Sequence, residues 1–223
     1  MLSVTMAALN ASQKEMNVTS NNLANASTVG FKRSYANFGD VFSNDPASNP
    51  KTAVGAGVLL TSVARDTTAG ALKSTGRVTD MAIDGRGYFV TRDPAAGTSG
   101  ANTYSRAGNF SLDSTGKLVD AGGFVVQGYP ADSASDPLAA DSAADLDSIT
   151  IPPSMAVGDS WPSGTVLSDG TPASVPTTDV VLQSLSISPK GEVQATYSDN
   201  KTYTLRFVAI ANFPSDQGLK AIG

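Results

Sequence analysis

The sequence predicts a mainly β protein, in which an N-terminal α-helix and a connector precede an antiparallel β domain built of hairpins. Apolar residues spaced one heptad apart near the start of the chain are typical of a helix. After Val58 the pattern changes to short apolar runs separated by Gly- and Asp-containing turns, which indicates strands. We therefore expect an N-terminal helix over residues 1–30, a connector over 31–70 and a β domain over 71–223.

The helical pattern covers residues 2–25. Its apolar seam is narrow, because Thr5, Ser12 and Thr19 lie on the same side. A single helix of this kind is marginal in water, so we expect a partner that buries the seam. An ordinary surface helix on its own domain is the alternative. The predicted packing seam consists of Leu2, Leu9, Met16 and Leu23.

The connector begins after Gly30, a residue type that takes the positive φ at which many helices end. Four aromatic residues follow at spacing i, i+4, i+7 and i+11, which predicts a helical segment that packs on the next domain. The polar, Pro- and Gly-containing residues 43–57 then predict a linker or a long loop. The aromatic residues of the connector are Phe31, Tyr35, Phe38 and Phe42.

The β domain is divided by an unusual stretch. Apolar runs joined by Asp-Gly, Ser-Thr-Gly and Gly-Gly turns extend to residue 130, and strands resume at Val180. Turns at 189–191 and 199–200 divide this second half into hairpins. Residues 131–178 are first acidic and then rich in Pro and Gly, so we expect an excursion or small insertion with weak structure of its own.

Composition excludes several classes of function. The chain has 223 residues, a net charge of −5, no cysteine and no histidine. Zinc sites built on Cys or His, catalytic triads that need His, and thiol chemistry are therefore excluded. No basic cluster extends beyond Lys32 and Arg33, which argues against a nucleic-acid partner. The sequence has no Sec-like signal and no apolar run long enough for membrane insertion.

The candidate chemical motifs are all weak. Five aspartates lack the spacing of a calcium-binding EF-hand, so a solvated acidic loop is the simpler interpretation. The Gly85-Arg86-Gly87 turn lacks the third glycine of a nucleotide-binding loop. Four other aspartates suit turns better than paired catalytic carboxylates. We therefore predict no enzyme, no metal site and no cofactor. The five aspartates of the acidic stretch are Asp132, Asp136, Asp141, Asp145 and Asp147. The four aspartates assigned to turns are Asp80, Asp84, Asp113 and Asp120.

The stretch NNLANASTVGFK resembles the N-terminal signature of the axial proteins of the bacterial flagellum, the rod and hook family. The segments GRVTDMAIDGRGYFV and TYSRAGNFSLDSTGKLVDAGGFVVQGYP also resemble the β domain of this family, as does the last segment, from Tyr197 onward. The Gly128-Tyr129-Pro130 ending is more similar to hook members than to rod members. The matching signature residues are Asn21, Asn22, Leu23, Ala24, Asn25, Thr28, Gly30, Phe31 and Lys32.

The resemblance implies a structural subunit of the flagellar hook, a universal joint that transmits torque from the basal body to the filament. It implies a flexible helical homopolymer with a central export channel, in contact with rod proteins, hook-filament junction proteins and the hook cap. The expected location is the extracellular hook, reached through flagellar type III export. The family ends in a C-terminal helix that does not occur before Gly223, so we expect a shortened chain.

The signature also has a physical interpretation. Asn21, Asn22 and Asn25 are placed to satisfy backbone groups at a helix end, Gly30 lets the chain reverse, and Phe31 anchors the connector against a neighbour. A distal rod subunit is the alternative within the family. A cell-surface adhesin or glycan-binding β domain is the alternative from another class, and it requires an aromatic cluster with convergent polar groups on one β face.

Overall fold

A computed structural model describes residues 2–40, 57–96, 100–131 and 146–220. It confirms the mainly β class, with one N-terminal helix and antiparallel sheets in the described ranges. The chain divides into two compact units. Unit 1 comprises Met1–Thr68 and Pro214–Gly223, and unit 2 comprises Ala69–Phe213. No helix in the described ranges is both long enough and apolar enough to cross a membrane.

Unit 1 contains the helix α1, Leu2–Ala24, and an antiparallel pair of strands, β1 at Ser34–Asp40 and β2 at Val58–Arg65. Ser34 pairs with Arg65 at one end and Asp40 with Val58 at the other, with a bulge between Asn37 and Phe38. A short 3-10 turn at Asp216–Gly218 also belongs to this unit.

The helical interpretation of the aromatic connector is wrong. Tyr35 and Phe38 lie on β1, and Phe31 precedes it outside any helix or strand. Backbone pairing with β2, more than twenty residues away along the chain, decides the conformation, and four spaced aromatics are too few to establish a helical period. Phe42 and most of the predicted linker lie outside the described residues.

The described strands of unit 2 are β3 Tyr88–Arg92, β4 Asn102–Ser105, β5 Ser111–Leu112, β6 Leu118–Val119, β7 Val125–Pro130, β8 Asp147–Ser148, β9 Ser154–Met155, β10 Val166–Leu167, β11 Val180–Ile187, β12 Glu192–Tyr197, β13 Thr202–Val208 and β14 Ile210–Ala211. They form an antiparallel sheet whose main strand order is β14-β3-β7-β13-β12-β11-β9. Five further strands pair beside this path: β4 with β3, β6 with both β5 and β7, β8 with β7, and β10 with β13.

The core of unit 2 is apolar and aromatic. Phe89 and Phe110 meet edge to face, with ring centroids 5.1 Å apart. They share one buried cluster with Leu118, Val126 and Leu205, which come from distant parts of the chain. The main buried cluster thus joins the two halves of the β domain, and it contains Phe89, Phe110, Leu118, Val126, Ile149, Ile151, Met155, Val180, Val193, Ala195, Tyr197, Tyr203, Leu205 and Val208.

The described part of the predicted excursion, residues 146–178, is an integral part of this core. Ile149 and Ile151 are fully buried, and β8, β9 and β10 pair with β7, β11 and β13. The expectation of weak structure is therefore wrong for these residues. Isolated apolar residues among Pro and Gly lack any periodicity, but the sheet supplies the partners that bury them. Asp132, Asp136, Asp141 and Asp145 lie outside the described residues.

Two glycines of unit 2 permit close backbone approaches. A Cβ on Gly108 would overlap the carbonyl oxygen of Met81. The two residues are also hydrogen-bonded, because the Met81 amide donates to the Gly108 carbonyl at 2.8 Å. Gly116 has φ +78°, and a Cβ there would overlap the carbonyl oxygen of Ile151. Both positions therefore exclude any larger residue.

The turn interpretation of the aspartates is confirmed at two positions. The Oδ1 of Asp113 accepts from the amides of Thr115 and Lys117, each at 2.8 Å. The Oδ1 of Asp120 accepts from Gly122 at 2.8 Å and from Phe124 at 3.0 Å. Each carboxylate therefore stabilises a hairpin turn by binding amides two and four residues further along the chain.

Candidate functional site

The helix α1 has one face that packs within unit 1. The side chains of Val4, Ala7, Ala11 and Val18 are half-buried on this face. Gly57, just before β2, approaches it so closely that a Cβ there would lie 3.4 Å from the Cβ of Ala7. The hairpin therefore covers a stripe of small and branched residues on the helix.

The predicted seam lies on the other side of α1. Leu9, Met16 and Leu23 are 64%, 59% and 76% exposed. Leu9 and Met16 stand two residues before Ala11 and Val18 of the packed face, which is about 200° around an α-helix. Within unit 1 the seam is thus an exposed apolar stripe. Its pairing with another helix stays a prediction, and the side chain of Leu2 is not described.

The signature stretch closes the end of α1. The amide and the Nδ2 of Asn25 both donate to the carbonyl of Asn21, at 3.1 and 3.0 Å. The Oδ1 of Asn25 in turn accepts from the Thr28 hydroxyl at 3.2 Å, and its carbonyl accepts from the Thr28 amide at 3.0 Å. Gly30 follows at φ +73° and reverses the chain. The small polar residues therefore occupy the carbonyls that a helix end leaves without partners.

Asn22 connects the helix end to the hairpin. Its Nδ2 donates to the carbonyl of Ser34 at 2.8 Å, and its Oδ1 accepts from the amide of Ser34 at 2.9 Å. One side-chain amide thus satisfies both backbone groups of the first residue of β1, as a neighbouring strand would. These two hydrogen bonds fix where β1 begins relative to α1.

Lys32 ties the turn to the chain after β2. Its Nζ donates to the carbonyls of Thr67 and Thr68, at 3.5 Å in the case of Thr67. Phe31, beside it, is half-buried. The lysine of the signature therefore binds backbone oxygens within its own unit, and the proposed anchoring of Phe31 against a neighbour stays a prediction.

Asp66 is a functional candidate that the sequence analysis did not identify. Its Oδ2 accepts from Arg33 Nε at 3.0 Å and from the Tyr35 hydroxyl at 2.8 Å. Its Oδ1 accepts from the hydroxyl and the amide of Thr68, at 2.6 and 3.0 Å. The Thr68 hydroxyl, followed by the Thr68 amide, the Tyr35 hydroxyl and Arg33, holds the pKa of this carboxyl well below its usual range. The sequence Asp-Thr-Thr after a strand was the available signal for such a turn.

Arg33 and Tyr35 project from the outward face of the hairpin. The Arg33 Cζ lies 5.1 Å from the centre of the Tyr35 ring, and the Arg33 side chain remains 65% exposed. Asn37 continues this face, because alternate residues of a strand point to the same side. We call Arg33, Tyr35 and Asn37 the hairpin face.

A shallow cavity of about 400 Å³ opens in unit 1 between the start of α1 and the ends of the two strands. The described residues that line it include Val4, Ala8, Phe38 and Val58, together with Asp40. This described part of the lining has no set of convergent polar groups that would position a reacting substrate. Among the described residues, no group of three or more acidic side chains is placed to hold a metal ion.

Unit 2 contains an aromatic cluster that the sequence analysis missed. Trp161 stacks on Tyr203 with ring centroids 4.1 Å apart and meets Tyr197 edge to face at 5.1 Å. Trp161 lies in a loop and packs against rings of β12 and β13. The polar atoms of all three rings bond within the unit, Trp161 to the Ser174 carbonyl, Tyr197 to the Pro152 carbonyl and Tyr203 to Asp199.

Burial governs this cluster. It raises the pKa of the Tyr203 hydroxyl to about 12 and that of Tyr197 still further. Tyr197 is fully buried and Tyr203 is nearly so, and their faces are occupied by one another and by Trp161. The cluster is consequently part of the core. A glycan-binding platform would instead present open ring faces with convergent polar groups.

Two models of known protein families match separate segments of this chain. The family model "Flagellar hook protein FlgE/F/G D1 domain" matches residues 82–195, and the model "Flagella basal body rod protein" matches residues 2–32. The first match covers most of unit 2, and the second covers α1 and the signature stretch.

Individual relatives carry the same name. The flagellar hook protein FlgE of Treponema pallidum is 39% identical over 153 residues, which are 63% of this chain and 32% of the relative. FlgE of Escherichia coli is 38% identical over 123 residues, 55% of this chain and 28% of the relative. FlgE of Borreliella burgdorferi is 33% identical over 153 residues, 63% of this chain and 33% of the relative. The chain spans about a third of the length of these relatives.

Proposed function

The chain belongs to the flagellar hook protein FlgE/F/G family, and from this premise we propose that it is a structural subunit of the bacterial flagellar hook. In this role it polymerises with copies of itself into a flexible helical tube. The tube transmits torque from the basal body to the filament and encloses a central export channel. The subunit acts as a structural element and performs no catalysis.

The exposed stripe of α1 is the observation that carries this proposal. Leu9, Met16 and Leu23 leave an apolar strip in contact with solvent, although the opposite face of the same helix is covered by the hairpin. A helix that is apolar on two sides is suited to have partners on both. The second partner is a terminal helix of a neighbouring subunit, and burial of the strip is the main driving force for the polymer.

The arrangement of contacts follows from repetition. A patch on one subunit that binds a different patch on the next is a heterologous contact, and such contacts produce open helical filaments when the rotation does not close. The surface of this chain is rich in uncharged Ser, Thr, Ala and Gly, and only 16% of its residues are charged. Such surfaces slide past one another at low cost, as a tube that bends while it rotates requires.

The proposed location is the extracellular hook of the bacterial flagellum, next to the basal body. Delivery uses the flagellar type III system, through which the chain passes unfolded, and a chain without cysteine has no disulfide to hinder that passage. The proposed partners besides copies of the chain are the rod proteins below, the hook-filament junction proteins above and the hook cap during growth.

A distal rod subunit is the second candidate. The match of residues 2–32 to the family model "Flagella basal body rod protein" favours it. The relatives named FlgE and the Gly128-Tyr129-Pro130 ending favour the hook.

Negative-stain electron microscopy of the full-length gene product tests the proposal. Concentrated protein is expected to form tubes, and their shape separates the two candidates. Curved tubes support the hook, and straight tubes transfer the assignment to the rod. Monodisperse particles under all conditions that polymerise a known hook protein would contradict both.

A further inference from the structure

The two compact units of this chain carry unequal charge. Unit 2 contains nine Lys and Arg residues and fifteen Asp and Glu residues, a formal charge of −6. Unit 1 contains six basic and five acidic residues, a formal charge of +1. In a polymer of identical chains, two copies of unit 2 therefore repel each other, whereas unit 1 of one copy attracts unit 2 of another.

The hairpin face of unit 1 presents a cation that is held in position. Arg33 uses its Nε to bind Asp66 and lies over the Tyr35 ring, yet its side chain is 65% exposed. An exposed ion pair adds little to folding stability. Because the Arg33 side chain is already ordered, a later contact would remove less of its conformational entropy. Arg and Tyr are also the residue types that contribute most to the affinity of protein interfaces.

Unit 2 presents a complementary acidic loop. The amide of Ala156 donates to Asp159 Oδ2 at 2.8 Å, and the next amide, that of Val157, donates to Asp179 Oδ1 at 3.0 Å. Two carboxylates therefore flank one short loop, and each binds a loop amide through one of its oxygens. In the described part of the chain, no Lys or Arg lies within 4.0 Å of either. Val157 between them is 60% exposed.

Other carboxylates of unit 2 are less suitable. Asp147 is already paired with Arg206 at 2.9 Å, and Asp80 is paired with Arg77 at 3.6 Å. Asp199 accepts from the Tyr203 hydroxyl at 2.8 Å. By contrast, the loop at Asp159 and Asp179 combines two carboxylates that have no described Lys or Arg within 4.0 Å with an exposed apolar side chain. This is the composition of an interface with an apolar centre and a polar rim.

We propose that the hairpin face of one copy, centred on Arg33 and Tyr35, binds the loop at Asp159 and Asp179 in unit 2 of a second copy. The Arg33 guanidinium lies between the two carboxylates, and the Tyr35 ring packs on Val157. The contact is heterologous, so it repeats along a filament. This inference rests on the proposed function, because it identifies a surface through which the same polymer forms.

The experiment is a double-mutant cycle on the full-length gene product, with the critical concentration for polymerisation as the readout. The variants are Arg33→Gln, the pair Asp159→Asn with Asp179→Asn, and all three substitutions together. Asparagine keeps the acceptor for each loop amide, so the loop retains its hydrogen bonds. Thermal unfolding of every variant checks that the fold is unchanged, and Arg33→Lys tests whether charge alone suffices.

Matched controls remove the same charges elsewhere. Lys190→Gln removes one exposed cation, and Asp84→Asn with Asp93→Asn removes two exposed carboxylates of unit 2. We expect these controls to stay within about twofold of the wild type, because they leave the proposed contact intact. Arg33→Gln and the aspartate pair should each raise the critical concentration about tenfold at low salt. The triple variant should be no worse than about tenfold, because the second change removes a contact that is already lost.

Two results would overturn the contact alone. In both, the wild-type protein forms tubes. In the first, neither Arg33→Gln nor the aspartate pair changes the critical concentration. In the second, the rise in critical concentration of the triple variant equals the product of the two separate rises. A wild-type protein that forms no polymer at all would overturn the contact together with the proposed function.

Discussion

Asn22 and Ser34 are joined as two strand residues would be, with Asn22 Nδ2 2.8 Å from the Ser34 carbonyl and the Ser34 amide 2.9 Å from Asn22 Oδ1. One side chain from the last turn of α1 thereby hydrogen-bonds both backbone groups of the first residue of β1. The asparagines of the signature stretch consequently have different tasks. Asn25 closes the helix end, and Asn22 orients the hairpin.

Asn22→Ala is expected to destabilise unit 1 by about 1–2 kcal/mol, because both backbone groups of Ser34 lose their partner in a half-buried position. Hydrogen exchange of the Ser34 amide measures the local effect. Asn37→Ala is the matched control, since the described side-chain partner of Asn37 is the exposed hydroxyl of Ser62, at 3.2 Å. Equal protection of the Ser34 amide in wild type and Asn22→Ala would refute the role given to this side chain.

Leu9→Asp combined with Met16→Asp is expected to abolish polymerisation of the full-length protein and to leave unit 2 folded. Two carboxylates on the exposed stripe would have to lose their water when neighbouring helices pack, and that loss is costly. Electron microscopy measures the tubes, and near-UV circular dichroism monitors the aromatic core of unit 2.

The control for this pair is Asn10→Asp with Asn17→Asp. These residues are exposed and lie about 80–100° from Leu9 around the helix, so they add the same charge beside the stripe. We expect the control to form tubes. A normal yield of tubes from the Leu9 and Met16 pair would reject the stripe as the assembly surface.

Gly108→Ala is expected to destabilise unit 2 by about 2–4 kcal/mol, because the new Cβ overlaps the Met81 carbonyl oxygen and the backbone must separate there. Thermal unfolding followed by near-UV circular dichroism provides the measurement. Gly70→Ala is the control, as nothing lies within 4 Å of a Cβ at that position. If both variants unfolded at the same temperature as the wild type, the close approach at Gly108 would not contribute to the stability of unit 2.

Asp66 makes the hairpin sensitive to acid. Its pKa is lower in the folded state than the unfolded value of about 3.9, so its contribution to stability is fully present above that value. The contribution is lost as the pH falls through the folded pKa. We therefore expect protection of the hairpin amides to decrease below about pH 4 in the wild type, and to show no such step in Asp66→Asn.

The causes of this pKa shift can be separated by NMR titration of the Asp66 carboxyl carbon. The Thr68 hydroxyl is the largest cause, and the Arg33 bond is a smaller one. Thr68→Val should therefore raise the pKa of Asp66 more than Arg33→Gln does. The opposite order would mean that the ion pair, and not the turn, controls this carboxylate.

The sequence analysis predicted the helix and most hairpins because their signals are local. α1 follows the heptad spacing of its apolar residues, and turns such as those at Asp113 and Asp120 depend on a carboxylate that binds amides two to four residues later. The same analysis assigned a helical period to Tyr35 and Phe38, because the strand that pairs with them lies after a long intervening segment.

The signature stretch allowed the family to be identified from sequence, but not the task of each of its residues. Asn22 and Lys32 both reach partners far along the chain, at Ser34 and at Thr67 and Thr68. Asp66 has no periodicity or motif strong enough to single it out among the aspartates. Its partners Arg33 and Tyr35 precede it by more than thirty residues.

The sequence by itself determined the mainly β class, the N-terminal helix, the turns and the family, since each depends on neighbouring residues or on a contiguous motif. Only the tertiary structure decided that residues 146–178 belong to the core, that Trp161 stacks on Tyr203, and that one face of α1 is covered while Leu9 and Met16 stay exposed. The physical reason is that burial and strand pairing are set by contacts between segments distant in sequence, which local propensity does not encode.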